Sequence, residues 1–222
     1  MELSAVLLAR VIAFFEIADI SPRNGLFFPE VTKELVQRFN FQKYPRTLDE
    51  WTDAKGSQFD VGKYGPTTIN RLILFNNGIQ LDTQAGTKES KRMLEELLEW
   101  AKEKFSLRYT PSVIKRWAYV SNVTFNSDIA ILSTPPLDNL AARTNRAFSE
   151  ISGEAFVYTP TVQTIGHDPL AMKYGRASFT IQRRLDVPYV EGKYFSEAPL
   201  PTDVHIGLLE QFEAEVKGAF GK

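Results

Sequence analysis

The stretch Asn70–Phe105, NRLILFNNGIQLDTQAGTKESKRMLEELLEWAKEKF, decides the fold. In its segment Arg71–Phe75 the four residues after Arg71 are apolar, so both faces carry apolar side chains, which is typical of a strand that lies away from a sheet edge. The dipeptide Asn77-Gly78 follows directly and favours a two-residue hairpin turn, because both residue types tolerate positive φ. Residues 79–82 then alternate between apolar and polar. The sequence therefore predicts a β-hairpin whose first strand is central.

The predicted turn also fixes the pairing of the two strands. With a turn of two residues, Leu74 lies opposite Leu81 and Leu72 lies opposite Thr83. The resulting apolar stripe needs a cover, since side chains that face each other across a ladder pack as one surface. A helix that begins after Thr87 supplies this cover with apolar residues at helical spacing. These residues are Leu94, Leu97, Leu98, Ala101 and Phe105.

The remaining segments repeat these two kinds of element. Strand patterns occur over residues 5–17, 41–44, 58–61, 117–125, 129–132, 156–165, 177–182 and 189–195, and a helical turn is expected before the first of these strands. Helix patterns occur over residues 29–40, 135–152 and 202–220. Because strands and helices do not alternate strictly, we predict an α+β fold: an antiparallel-rich mixed sheet with about four helices packed mainly on one face. We predict a single domain over residues 1–222, with a subdivision near 106–114 as the alternative.

One predicted helix has clear ends and an apolar face. The run Ser133-Thr134-Pro135-Pro136 is typical of a helix start, and Gly153 is placed for the C-terminal cap. The apolar face comprises Leu137, Leu140, Ala141, Thr144, Ala147, Phe148 and Ile151. We expect this face to cover the sheet, as we do for the faces within 94–105 and 208–220.

Composition excludes several classes of protein. The chain has 222 residues, a net charge of −1 and no cysteine. Without cysteine it has no disulfides, catalytic thiolates or cysteine metal sites, which fits a reducing compartment. The basic pairs Lys115-Arg116 and Arg183-Arg184 are isolated, so the near-neutral chain gives no strong signal for nucleic-acid binding.

The apolar segment near the start resembles the core of a signal peptide, but its flanks do not. Glu2 precedes the run Ala5–Phe15, Arg10 interrupts it, and no small-residue cleavage pattern follows. The run is also too short to span a bilayer. We therefore predict a buried element of the fold, no membrane association and a cytoplasmic location.

The search for catalytic motifs leaves one pair of residues. His167-Asp168 lies in a loop bounded by glycine and proline, and loops carry functional residues more often than strands do. We name His167 and Asp168 as the candidate catalytic residues, with a simple turn before Pro169 as the alternative. His205 falls on the apolar side of the last helix, where we expect it to be packed. No nucleophile-elbow, dinucleotide or P-loop motif occurs, and we expect no cofactor or metal.

A metal-dependent enzyme, nuclease-like or phosphoesterase-like, is the alternative function. It would hold a divalent metal with carboxylates assisted by Lys or Arg. The acid-x-Lys pattern of such sites occurs at Asp53-Ala54-Lys55, Glu89-Ser90-Lys91, Glu191-Gly192-Lys193 and Glu215-Val216-Lys217. Other carboxylates at predicted strand ends or turns are Glu16, Asp19, Asp60, Asp82 and Asp128. This alternative requires that such groups converge in one cleft.

The sequence favours a function without catalysis, because every catalytic pattern is missing or common by chance at this charged content. Lys91–Glu95 and Arg92–Glu96 are i,i+4 pairs typical of a solvated helix face. Trp100 lies off the main apolar stripe, either at the edge of a wide buried face or exposed to a partner. We predict a binding or assembly module of a cytoplasmic complex, which acts through a protein partner or as a homo-oligomer.

Overall fold

The sheet contains eight strands in the part of the chain that the computed structural model describes, residues 1–52, 55–155, 157–168 and 177–220. The strands are β1 (Glu2–Phe14), β2 (Ser57–Tyr64), β3 (Thr67–Phe75), β4 (Gly78–Thr83), β5 (Arg116–Asn126), β6 (Val162–Ile165), β7 (Phe179–Arg183) and β8 (Lys193–Ala198). They form an antiparallel sheet in the order β2-β3-β4-β1-β5-β8-β7-β6. The predicted α+β class is confirmed.

Six helices accompany the sheet within the described residues. They are α1 (Ile17–Ile20), α2 (Phe28–Phe39), α3 (Leu48–Trp51), α4 (Thr87–Phe105), α5 (Pro135–Ser152) and α6 (Thr202–Phe220). The four long helices, α2, α4, α5 and α6, are the four that the sequence predicts, whereas α1 and α3 are additional single turns. No helix in the described ranges combines the length and the apolar character needed to cross a membrane.

Contacts within the chain group into two units. The larger unit comprises Val6–Asn122 and Pro199–Val204, and the smaller unit comprises Met1–Ala5, Val123–Ala198 and His205–Lys222. The organisation of residues 1–222 as a single domain, with a subdivision near 106–114 as the alternative, stays a prediction.

In the larger unit the β3–β4 hairpin forms, but its turn lies one residue earlier than predicted. Residues 76 and 77 make the turn, so Leu74 pairs with Ile79 and Leu72 pairs with Leu81. The predicted register is therefore wrong by two residues. A shift by two leaves each side chain on its expected face, so the apolar stripe is preserved. β3 lies between β2 and β4, which confirms its interior position.

Gly78 is needed for the close approach of the neighbouring strand β1 and not for the turn. Neither turn residue has a positive φ, whereas Gly78 has a φ of +153°. Phe14 of β1 pairs with Gly78, and a Cβ atom added to Gly78 would overlap the carbonyl oxygen of Ala13. The Asn-Gly signal thus identifies the hairpin correctly, but glycine is needed for the close approach of a third strand.

Helix α4 covers this hairpin as predicted. Leu94, Leu97 and Leu98 are buried, and they share one core cluster with Leu72 and Leu81. Each such side chain contributes roughly 1.5–3 kcal/mol when it is removed from water. The helix and the hairpin therefore pack into the same apolar core of the larger unit.

Arg10 and Asp82 form a cross-strand ion pair between β1 and β4. They are direct partners in the register, and Arg10 donates from Nε and Nη2 to the two carboxylate oxygens of Asp82 at 2.8 Å each. The amide of Gln80 also donates to this carboxylate. Asp82 is 4% exposed. The arginine that interrupts the apolar run of β1 therefore neutralises a buried carboxylate.

Three local predictions are wrong. β1 begins at Glu2 with no helical turn before it. Residues 41–44 form no strand but a single bridge between Lys43 and Asp60. Residues 129–132 also form no strand, although Ile131 and Leu132 are buried as their apolar character indicates.

In the smaller unit a buried carboxylate anchors α6. Glu213 is 5% exposed and accepts hydrogen bonds from the α-amino group of Met1, from Ser127 Oγ at 2.5 Å and from Lys217 Nζ at 3.3 Å. Burial by itself would raise the pKa of Glu213. The three donors outweigh burial and lower this pKa below its ordinary value of 4.5.

The Glu213 site gives a pH-dependent prediction. Because its pKa is lowered in the folded state, the ionised carboxylate stabilises the fold above pH 4.5, and this contribution disappears as pH falls through the lowered value. We expect Glu213→Gln to lose about 2 kcal/mol of unfolding free energy at pH 7. The loss shrinks toward zero in acid, where wild-type Glu213 is also neutral. Urea unfolding of the wild type and the variant at several pH values measures this difference in unfolding free energy. Glu210→Gln, an exposed change on the same helix, is the control, and a loss independent of pH would contradict the prediction.

Candidate functional site

The predicted catalytic pair lies just after β6. His167 is half-buried and Asp168 is exposed, two and three residues beyond the end of the strand. Residues 169–176, which follow, lie outside the described ranges. A catalytic role for His167 and Asp168 stays a prediction.

The carboxylates of the proposed metal site are dispersed in the structure. Within the described ranges no group of three or more His, Asp or Glu side chains is placed to hold a metal ion. Asp60 pairs with Arg71 at 2.8 Å, and Glu191 pairs with Lys193 at 2.7 Å. These are two-residue ion pairs, which in exposed settings have a structural role of modest strength. Asp53 and Ala54 lie outside the described residues.

His205 is packed, as predicted. The side chain is fully buried, with Nε2 2.8 Å from Ser196 Oγ and the ring edge-on to Phe179 at a centroid distance of 5.1 Å. A histidine held in this way between β7, β8 and α6 is part of the core of the smaller unit.

Helix α5 is the most unusual element of the smaller unit. It starts at Pro135 after Thr134 and ends at Gly153, which adopts the left-handed conformation with a φ of +71°. These boundaries are those that the sequence predicts. Yet none of its 18 residues is buried. The prediction that this helix covers the sheet with its apolar face is wrong.

The apolar face of α5 is therefore open. We name it the α5 stripe, which comprises Leu137, Leu140, Ala141, Thr144, Ala147, Phe148 and Ile151. Leu137 is 42% exposed, Leu140 60% and Ile151 87%. Amphipathic helices of folded proteins normally bury such a face, since packing rather than intrinsic propensity stabilises them.

The segment after α5 folds back and extends the stripe. The backbone N–H of Tyr158 donates to Asn145 Oδ1 at 2.6 Å, and the ring of Tyr158 lies 5.8 Å from that of Phe148. Val157 beside it is 90% exposed. The exposed apolar surface is thus continuous over the helix and residues 157–158, and contiguous surfaces of this kind mark interaction sites.

Comparison with known proteins does not explain this surface. Neither the models of protein families nor the curated proteins to which the sequence was compared give a match. The function of the α5 stripe is therefore argued from its own residues.

The larger unit carries a second apolar surface, which the sequence analysis missed. A groove of about 850 Å³ lies between the start of α2 and residues 44–51. Phe28 stacks on Trp51 at 4.7 Å, and Trp51 Nε1 donates to Thr32 Oγ1 at 2.9 Å. Phe27 and Leu48 are largely exposed at its rim. The run Phe27-Phe28-Pro29, two adjacent aromatics at a helix start, was the available signal.

Proposed function

We propose that the protein is a non-enzymatic assembly module that self-associates through the α5 stripe. The observation that carries the proposal is the amphipathic helix α5, which has no buried residue. An isolated helix of this length is marginal in water even for a favourable sequence. A partner that covers the apolar face would supply the missing stabilisation.

The spacing of the stripe fits pairing with a second helix. Leu137, Thr144 and Ile151 recur every seven residues, and Leu140 and Ala147 lie three residues after the first two. This is the a/d pattern of a coiled coil over two heptads, in which helices meet along a narrow apolar seam. The small Thr144 and Ala147 in the middle allow close approach of the two backbones.

Charge on the flank of the stripe favours a second copy of the same helix. Arg143 and Glu150 both occupy the g position of this pattern. In an antiparallel pair of identical helices, g residues of the two chains face each other, so Arg143 of each copy meets Glu150 of the other. A two-fold contact of this kind is the commonest symmetry of soluble oligomers.

Self-association is tested by light scattering after size exclusion. We expect a dimer for the wild-type protein and a monomer for Leu140→Glu, with the dimer Kd raised roughly 100-fold because a charge replaces an apolar anchor at the seam. Asn139→Glu places the same charge one residue away, outside the seam, and should leave the dimer intact. Since Leu140 is already exposed in the chain, the variant should retain the wild-type circular dichroism.

A wild-type monomer at all concentrations would overturn the proposal, as would a dimer that Leu140→Glu leaves unchanged. A cytoplasmic location belongs to the same proposal and is supported by the cysteine-free sequence. The metal-dependent enzyme stays the alternative prediction. A rise in melting temperature with Mg²⁺ or Mn²⁺ would favour it, since a ligand that binds the native state stabilises the fold.

A further inference from the structure

One face of α2 lines the groove of about 850 Å³ in the larger unit, which we name the α2 groove. The α2 residues of this face recur at helical spacing and are Pro29, Thr32, Lys33, Val36 and Gln37. They extend over roughly 12 Å along the helix axis. A separate face of α2 is buried in the core through Val31, Leu35 and Phe39. The groove is therefore an addition to the core packing of this helix and not a part of it.

The floor of the α2 groove is apolar, and its polar side-chain atoms are already bonded within the chain. Phe28 stacks on Trp51, and Trp51 Nε1 donates to Thr32 Oγ1 at 2.9 Å. Thr32 Oγ1 in turn donates to the carbonyl oxygen of Phe28 at 3.0 Å. The ring of Trp51 also meets that of the buried Phe59 edge to face, at a centroid distance of 5.8 Å. These contacts hold the indole in place, so the floor is preformed.

The charged side chains that line the α2 groove are both cations, Lys33 and Arg46. Neither forms an ion pair with a carboxylate of the residues that the structure describes. The guanidinium carbon of Arg46 lies 5.5 Å from the ring centroid of Tyr44, which also lines the groove. The carboxylate of Glu50 accepts hydrogen bonds from the backbone N–H groups of Arg46 and Thr47, in the capping box of α3. The described lining thus carries positive charge beside an apolar floor, which favours an anionic ligand.

The hydrogen bonding of the floor distinguishes between two kinds of ligand. An extended peptide would bring backbone N–H and C=O groups to the floor, and each such group needs a partner when it is buried. The hydroxyl of Thr32 and the indole N–H of Trp51 already have partners. An alkyl chain needs none, and its burial against aromatic rings is favourable. The groove therefore suits a ligand with an alkyl tail and one anionic head group.

We propose that the α2 groove binds a fatty acid. The alkyl chain lies along the floor formed by Phe28 and Trp51, and the carboxylate pairs with Lys33 and Arg46. The guanidinium of an arginine presents N–H groups in a plane that matches a carboxylate, and a lysine adds a point charge. The groove volume lies in the range of small-molecule sites. This site belongs to the larger unit and does not depend on the α5 stripe.

Titration of the full chain with dodecanoate, below the concentration at which this fatty acid forms micelles, tests the proposal. Calorimetry and tryptophan fluorescence should show saturable binding. The double variant Lys33→Gln/Arg46→Gln should bind about tenfold more weakly, because two exposed ion pairs with the carboxylate are lost. The matched control Lys63→Gln/Lys88→Gln removes the same charge at exposed residues that do not line the groove, and it should bind as the wild type does.

A second variant tests the apolar part of the site. Leu48 is 66% exposed at the rim of the groove, so Leu48→Glu should keep the wild-type circular dichroism. We expect dodecanoate to bind this variant about tenfold more weakly or less, because a carboxylate replaces an apolar contact. Leu185→Glu, at an exposed leucine of the smaller unit, should bind as the wild type does.

Dodecan-1-ol, which has the same chain without the charge, tests the head group. It should bind the wild-type protein about tenfold more weakly than dodecanoate, with an affinity that Lys33→Gln/Arg46→Gln leaves unchanged.

Several outcomes would overturn the proposal. They are an absence of saturable binding, equal losses in the two double variants, and equal affinities for dodecanoate and dodecan-1-ol. Binding of a short acidic peptide with aromatic residues, but not of dodecanoate, would also overturn it, because the occupant would then be a protein segment. Circular dichroism confirms that each variant is folded.

Discussion

Replacing Arg10 by Met should lower the unfolding free energy by about 3 kcal/mol, since it leaves the buried carboxylate of Asp82 without its cationic partner. Asp82 is 4% exposed and would keep only the amide of Gln80 as a side-chain donor among the contacts described above. Met resembles the apolar part of the Arg10 side chain, so the loss of unfolding free energy measures the effect of removing the positive charge. Urea unfolding, monitored by circular dichroism, measures the difference.

Removing the carboxylate of Asp82 should lower the unfolding free energy by less than removing Arg10 does. Asp82→Leu leaves Arg10, whose side chain is 31% exposed, and a long cationic side chain can turn its head group toward water. The double variant Arg10→Met/Asp82→Leu should be close in stability to Asp82→Leu alone. Equal losses for the two single variants, or losses that simply add in the double variant, would show that the pair is not coupled in this way.

Gly78→Ala should destabilise the protein by about 3 kcal/mol or more, because strain and steric overlap occur together at this residue. The φ of +153° is one that residues with a side chain rarely adopt, and the new methyl group would overlap the carbonyl oxygen of Ala13. Relief requires that β1 and β4 move apart, which disrupts the pairing of Phe14 with Gly78. Thermal and urea unfolding of the variant give the value.

Gly65→Ala is the matched control for this substitution. Gly65 has a φ of +55° in the turn between β2 and β3, and no atom lies within 4 Å of the Cβ position. The Gly65→Ala variant should therefore lose only the conformational contribution, about 1 kcal/mol of unfolding free energy. If the two variants lose the same amount, the close approach of β1 has no energetic weight and our explanation of Gly78 fails.

Sequence periodicity was sufficient to identify the long helices and the central hairpin. The start of α5 at Pro135 and its end at Gly153 follow from local chemistry, which depends on no distant residue. The register of the hairpin could not be predicted in the same way. Alternation tells which face of a strand a residue lies on, but it does not tell which apolar residues of that face are paired. The contact that distinguishes them comes from β1, more than sixty residues earlier in the chain.

The interaction surfaces were harder to predict for a different physical reason. The α5 stripe has the same spacing whether a sheet of its own chain or another molecule covers it. Likewise, Lys91–Glu95 and Arg92–Glu96 form the ion pairs that their spacing predicts, at 2.5 and 2.7 Å. That Glu95 and Glu96 also border a cleft with Trp100 depends on where residues 109–117 pass, and no local pattern encodes that path.

The Arg10–Asp82 contact also helps to select the register in which β1 pairs with β4. Apolar alternation makes slips of two residues between β1 and β4 nearly degenerate, since the same faces stay covered after each slip. A slipped strand would place Asp82 opposite an uncharged residue, Ile12 or Leu8, and would bring a side chain other than glycine against Ala13. The Arg10–Asp82 ion pair and the close contact of Gly78 with Ala13 therefore favour one register over the slipped ones. They select the correct strand alignment in addition to stabilising the fold.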